Sequence, residues 1–254
     1  MLPAGSNRDH PDAMGLGKTR IVDYKAHMPE STKGGFAGIA NLSYVGFVLA
    51  AGVLVYSFVS VAKEGETRRR CAPMCLLHPE YAATNRTAPD FALKDMNGDT
   101  VNLSSYRGKV VVLNFWTKTC GPCLEELPSL ADLSRILRDR PDVTVLTVSV
   151  DQGPADVQDT LRAVLREAPP FPVLFDPEND IVAGKYGTHL FPETWIIDAR
   201  GVIRARFDGK RNWSSSAVVE LVDQLRVGGY CPMEIQDGRP HGDGAKVCDD
   251  VGGS

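Results

Sequence analysis

The run Lys109-Val-Val-Val-Leu-Asn-Phe-Trp116, followed after three residues by Cys120-Gly-Pro-Cys123 and then by leucines at 127, 130, 133 and 137, constrains the fold more than any other stretch. An unbroken apolar, β-branched run is the pattern of a strand buried on both faces, and leucines three and four apart make the apolar stripe of a helix, here Cys123 to Arg138. The two cysteines therefore occupy a strand-to-helix turn. Val143 to Val150 repeats the buried-strand pattern and Ala155 to Glu167 the helical one, which makes a β-α-β unit. Upstream, Phe91-Ala-Leu93 and Thr100-Val-Asn-Leu103 flank Asn97-Gly98, a hairpin signal because both turn residues tolerate positive φ. Downstream, Phe171 to Asp176 reads as a short edge-like strand and Ile181 to Tyr186 as a helical turn. Glu193 to Asp198 pairs with Gly201 to Asp208, and a last helix, capped by Ser214 or Ser215, runs through Leu225. The order predicts an α/β domain over residues 87–227: a central mixed sheet flanked by helices, with an N-terminal β-hairpin.

At such a turn Cys120 faces the unpaired N–H groups and positive dipole end of the helix, which stabilise a thiolate. A thiol with the ordinary pKa of about 8.5 is roughly 3% ionised at pH 7, whereas one tuned to about 7 is about half ionised, so the position favours a nucleophile. Cys123 lies about one turn further on, within reach of a mixed disulfide formed at Cys120. Pro122 suits the first helical turn, where its missing N–H costs nothing. Zinc binding would need a second ligand pair, and the sequence holds no other CxxC and no HxxxH. An inert bridge would close too short a loop to remove much chain entropy. Cys120 and Cys123 thus read as a working redox couple.

No charged residue occurs from Gly34 to Ala62, and Leu42 to Ala62 is predominantly apolar. About 20 such residues span a hydrocarbon core of roughly 30 Å, so residues 37–62 read as a transmembrane helix. A cleaved signal peptide would start nearer the first residue and be shorter. Residues 1–36 read as a short disordered cytosolic segment, 63–86 as a tether and 228–254 as a Gly- and Asp-rich tail. Lys18, Arg20, Lys25 and Lys33 are balanced by Lys63, Arg68, Arg69 and Arg70, so charge alone does not orient the helix. The formal net charge of −4 supplies no basic face for nucleic acid. Cys71, Cys75, Cys231 and Cys248 are expected to form two structural disulfides tying tether to tail, which places the domain on the oxidising, periplasmic side of the membrane.

Taken together, Ala88-Pro-Asp-Phe91, Asn97-Gly98, Gly108 to Trp116, Cys120-Gly-Pro-Cys123, Glu126-Leu-Pro128 and Phe191-Pro-Glu-Thr194 resemble the thioredoxin-like TlpA/ResA family of membrane-tethered thiol:disulfide oxidoreductases. The resemblance covers residues 86 to 227. It implies a thioredoxin-like fold and a cis Phe191–Pro192 peptide beside the cysteines, with Trp116, Phe191 and Pro192 contacting substrate. It also implies that Glu126 accepts or relays the Cys123 proton, and that no cofactor is needed beyond the Cys120–Cys123 disulfide. Implied partners are envelope proteins carrying disulfides, apocytochromes among them, and a membrane-embedded electron donor, with the chain acting as a reductase. Asn114 stands where thioredoxins proper carry a buried Asp. Thr119, preceded by Lys118, stands where the family has Trp, and Phe191 replaces its Thr or Pro; Lys118 could favour the Cys120 thiolate or be an ordinary surface lysine.

Two other functions are compatible with parts of the chain. Cys71, Met74, Cys75 and His78 form a soft-ligand cluster, and His189 lies three residues before Pro192, a pattern compatible with a copper-binding chaperone. Thr117-x-x-Cys120 echoes the peroxiredoxin Thr-x-x-Cys, although Leu113 stands where that pattern has Pro.

Overall fold

The computed structural model describes residues 36–252. The segment expected to be disordered and cytosolic, residues 1–36, lies outside the described residues except for Phe36. The chain divides into two compact units between Leu54 and Val55. Helix α1 (Phe36–Leu77) is long and apolar enough to cross a membrane. Phe47, Leu49, Leu54, Tyr56 and Phe58 are exposed on it, and among the described residues no other helix meets that test.

The second unit is built on an eight-stranded mixed sheet. Its strands are β1 (Tyr81–Ala82), β2 (Ala92–Asp95), β3 (Thr100–Asn102), β4 (Val110–Trp116), β5 (Val143–Ser149), β6 (Val173–Phe175), β7 (Glu193–Ile197) and β8 (Ile203–Asp208), in the order β1-β8-β7-β4-β5-β6-β2-β3. β4, β5 and β6 run parallel, β7 pairs antiparallel with β4, and β8 pairs antiparallel with β7. Every residue of β4 is buried, as its β-branched composition requires of a strand covered on both faces. Helices α2 (Gly121–Ile136), α3 (Pro154–Leu165) and α4 (Ser216–Arg226) cover one face, and Phe91, Leu103, Ile181, Val182 and Tyr186 pack over the other. Leu127, Leu130, Leu133 and Leu137 all point into the core, confirming the stripe read from their spacing. The result is the thioredoxin-like mixed sheet flanked by helices.

Several elements differ from expectation. The strand at 173–175 is interior, because β2 of the hairpin pairs antiparallel with its free side. In the β2–β3 turn only Gly98 has positive φ; Asp95 Oδ1 accepts from the N–H groups of Asn97 and Asp99, which closes the loop without a left-handed Asn. Ser215 occupies the N-cap of α4, but its hydroxyl makes no capping hydrogen bond. Residues 63–77 are helical, not an irregular tether, and continue through Pro73. Cys71, Met74 and Cys75, spaced as one helical face, are buried in the same core cluster as the leucines of α2. The tail folds as well: β9 (Glu234–Gln236) and β10 (Arg239–His241) form a hairpin, and α5 (Ala245–Gly252) follows.

Two disulfides explain that order. Cys71 bonds Cys231 and Cys75 bonds Cys248, with Cα–Cα distances of 4.7 and 4.9 Å. The tail thus clips onto one face of α1, and its own apolar residues Met233 and Val247 complete the core there. Gly244 lies against the Cys71–Cys231 bridge: a Cβ at this position would sit 2.6 Å from Cys71 Sγ and 2.5 Å from Cys231 Sγ.

Candidate active site

Strand β4 ends at Trp116, and the four residues that follow are fastened to the end of β5 by Asp151. Its carboxylate accepts from Thr117 Oγ1 at 3.0 Å, from the Lys118 N–H at 2.8 Å and from Ser149 Oγ at 2.7 Å. This fixes where the turn delivers Cys120. Cys120 takes the N-cap position of α2 in extended geometry, and Pro122 falls in the first turn, where its missing donor is harmless. The N–H of Cys123 donates to Cys120 Sγ at 3.2 Å, and the two sulfurs are joined in a disulfide. Cys120 is partly exposed, whereas Cys123 is fully buried. Only one of the two sulfurs is open to an incoming disulfide, and it is the one beside the helix N-terminus.

Glu126, one turn below Cys123, is buried in α2. Burial pushes its carboxyl up to about 7, against the pull of three donors and the Arg211 guanidinium. The donors are Trp213 Nε1 at 3.0 Å and the Arg211 N–H at 3.2 Å on Oε2, and Asn114 Nδ2 at 2.7 Å on Oε1. Arg211 in turn donates through its guanidinium to the carbonyls of Leu77 and His78 at the end of α1. A carboxyl that changes protonation near neutral pH beside a cysteine couple can hold or release a proton there.

The peptide Phe191–Pro192 is cis. Phe115 is level with Glu193 across β4 and β7, so Pro192 comes level with the end of β4, where the cysteine turn begins. Glu193 is buried, its Oε1 accepting from Thr188 Oγ1 and from Trp195 Nε1, and burial raises its carboxyl above the usual range. The loop from 188 to 193 is thereby closed on itself, with Leu190 at its tip 84% exposed and Phe191 half-buried.

Residues 84–206 match the AhpC/TSA family. The thiol-disulfide oxidoreductase ResA of Geobacillus thermodenitrificans is 35% identical over 127 residues, 50% of this chain and 70% of that protein. The chain belongs to this family. The thioredoxin-like protein YneN of Bacillus subtilis is 32% identical over 121 residues, 46% of this chain and 66% of its own length. A solved thioredoxin-family thiol:disulfide interchange protein from Chlorobium tepidum is 22% identical and superposes with a TM-score of 0.48 over 56% of this chain and 98% of that one. As a ResA-type protein the chain is a thiol-disulfide oxidoreductase.

Within this ResA-type site the sequence-predicted residues divide. Cys120 caps α2, Cys123 and Glu126 lie in its first two turns, and Phe191 and Pro192 lie on the loop level with the cysteine turn. Trp116 needs correction: it is fully buried in the core, so it has no surface to offer a substrate. Lys118 is paired with Asp156 on α3 at 2.8 Å, and this bond holds its ammonium protonated and directs it at α3. Thr117, the peroxiredoxin-like threonine, gives its hydroxyl to Asp151. The soft-ligand cluster is not assembled in this form, since the sulfurs of Cys71 and Cys75 are held in disulfides. Among the described residues no group of three or more His, Cys, Asp or Glu is placed to hold a metal ion. Sequence reading missed Trp213, Arg211, Asp151 and Leu190; no spacing rule ties Trp213, 87 residues away, to Glu126.

Proposed function

We propose that this protein is a membrane-anchored protein-disulfide reductase working on the extracytoplasmic side, with Cys120 as nucleophile and Cys123 as resolving thiol. The observation that carries the reading is the asymmetry of the couple: a partly exposed Cys120 at a helix N-cap beside a buried Cys123. In the reduced form the Cys120 thiolate attacks one sulfur of a substrate disulfide. A mixed disulfide forms, the substrate S–S bond breaks, and the departing thiolate takes a proton. Cys123 then gives up its proton to Glu126, the buried carboxylate one turn along the same helix, and attacks Cys120 Sγ. The Cys120–Cys123 bond forms and the second substrate thiol leaves, so two electrons have passed from the dithiol to the substrate. No cofactor takes part in either step.

The dithiol must be restored by a donor of the same chemistry, a membrane-embedded dithiol carrier that meets the domain beside helix α1. The two disulfides that clip the tail to α1 support an oxidising compartment, where such bridges persist. Substrates are envelope proteins whose cysteines must be kept reduced, the group to which apocytochromes belong. The direction is tested by the reduction potential of the Cys120–Cys123 couple in the full chain in detergent. A value of about −270 mV or lower supports a reductase, and one near about −120 mV makes it an oxidase.

A further inference from the structure

The buried side chain of Asn114 touches both the acid of the site and the strand that follows the cis proline. It lies in the middle of β4, directly opposite Thr194 of β7. All three side chains, Asn114, Thr194 and Glu126, are 1% exposed or less. The amide nitrogen Nδ2 donates to Glu126 Oε1 at 2.7 Å and to Thr194 Oγ1 at 2.9 Å. The amide oxygen Oδ1 is buried and has no hydrogen-bond partner among the described residues.

The proton inventory gives this arrangement a meaning. An ionised carboxylate only accepts, and it is matched by the N–H face of an amide. A protonated carboxyl needs an acceptor for its O–H, and the same N–H face would then set donor against donor. In a site sealed from water such a mismatch is costly, and a fixed partner would favour one protonation state at the other's expense. A primary amide can serve both states by turning half a rotation, because Nδ2 and Oδ1 exchange places with little change of shape. A threonine hydroxyl tolerates the turn, since it accepts from Nδ2 in one orientation and donates to Oδ1 in the other. Valine at 194 or aspartate at 114 could do neither.

We propose that Asn114 and Thr194 are positioning residues that let the buried Glu126 take up and give up a proton: the Asn114 amide faces the carboxylate with Nδ2 and turns to face the protonated acid with Oδ1. The proposal rests on the reading of Glu126 as the proton carrier for Cys123. Its electrostatic surroundings are few. Arg211 is the charged group acting on Glu126, Glu80 and Asp208 act on Arg211, and Lys210 is engaged by Glu125 on the outer face of α2. Trp213 and the Arg211 N–H hold the other carboxylate oxygen in place, so the Asn114 side is where the partner can change.

The test follows the full oxidised chain in detergent micelles, labelled with 15N in asparagine side chains and 13C in glutamate carboxyls, between about pH 5 and pH 9. The Glu126 carboxyl shift should titrate in this window. Contacts between the Asn114 Nδ2 protons and the Thr194 methyl, read as nuclear Overhauser effects, should be present above the midpoint and lost below it. In Asn114→Ala the acid loses a partner in both protonation states, so the midpoint should move by less than about half a unit, whereas loss of a fixed donor to the charged form would raise it by about one unit or more, a tenfold gain in proton affinity. Thr194→Ser, which keeps the hydroxyl, should titrate like the unmodified chain. If Glu126 titrates while the Asn114 contacts stay constant, or if the Asn114→Ala midpoint rises by about one unit or more as loss of a fixed donor requires, the amide reversal is wrong and the proton-carrier reading survives. If Glu126 does not titrate in the window, both fall. The contact measurement needs no variant, so misfolding of Asn114→Ala would not blunt it.

Discussion

Trp213 Nε1 lies 3.0 Å from Glu126 Oε2, and this bond joins the loop before α4 to the buried carboxylate one turn along α2 from Cys123. The indole donates and cannot accept, so it favours the ionised acid and opposes the burial that pushes the carboxyl up to about 7. Trp213→Phe keeps most of the packing and removes the donor. Hydrogen bonds to charged groups contribute about 1.5 to 3 kcal/mol, so the Glu126 midpoint is expected to rise by about one to two units. Carboxyl 13C shifts of the variant against pH check this; an unchanged midpoint would mean that the indole is incidental to the acid.

The raised carboxyl also has a stability consequence. Between its ordinary value of 4.5 and about 7 the folded protein keeps the Glu126 proton while the unfolded chain has released it. The unfolded state binds fewer protons there, so this group lowers stability as pH rises through the window, by about 3 kcal/mol in all, with no further change above it. Glu126→Gln does not titrate. The stability difference between variant and unmodified chain should therefore move by about that amount in the variant's favour from about pH 4 to pH 8, as read by guanidinium unfolding at the two pH values.

The two structural disulfides should not add as independent loops. Cys71–Cys231 spans 160 residues of sequence and by chain-entropy arithmetic contributes about 5 kcal/mol. With it in place, Cys75–Cys248 closes only a ring of about 20 residues, through four steps of α1 and the tail, and adds about 3 kcal/mol. Replacing Cys75 and Cys248 together by Ala should cost about 3 kcal/mol, and replacing all four about 8, in oxidising denaturant titrations. A loss near 5 for the first pair would show that the bridges act separately.

Gly244 is predicted to be intolerant for reasons of space. A methyl group there meets both sulfurs of the Cys71–Cys231 bridge inside 2.7 Å contact range, at 2.5 and 2.6 Å. Gly244→Ala should destabilise the tail by about 1 to 3 kcal/mol, the usual range for overpacking, and should raise the fraction of chain whose Cys71 and Cys231 react with a thiol-directed label. Gly238→Ala, at a turn with open space but positive φ, provides a comparison in which only the backbone is disfavoured.

The redox couple and the sheet around it were legible because each rests on local pattern: a β-branched run, a leucine stripe, a cysteine pair at the join. The helical state of residues 63–77 was not, since Pro73 and the weak apolar periodicity of this stretch argue against a helix. It is held by contacts with Cys231 and Cys248, more than 150 residues away. The tail likewise lacks periodicity of its own and borrows its order from α1. Trp116 was misjudged because an aromatic beside a cysteine motif looks available for contact, whereas the last residue of a doubly covered strand points into the core. Glu126 was nameable by position alone; its partners Asn114, Trp213 and Arg211 come from three other segments that only the fold brings together.

Trapping decides whether Cys120 is the attacking sulfur. Full-length Cys123→Ser, reduced and then offered a disulfide-bearing protein substrate, should accumulate a mixed disulfide that peptide mapping locates at Cys120, while Cys120→Ser should form none and show no turnover. An adduct mapped to Cys123 in Cys120→Ser, with disulfide reduction sustained, would make Cys123 the nucleophile instead.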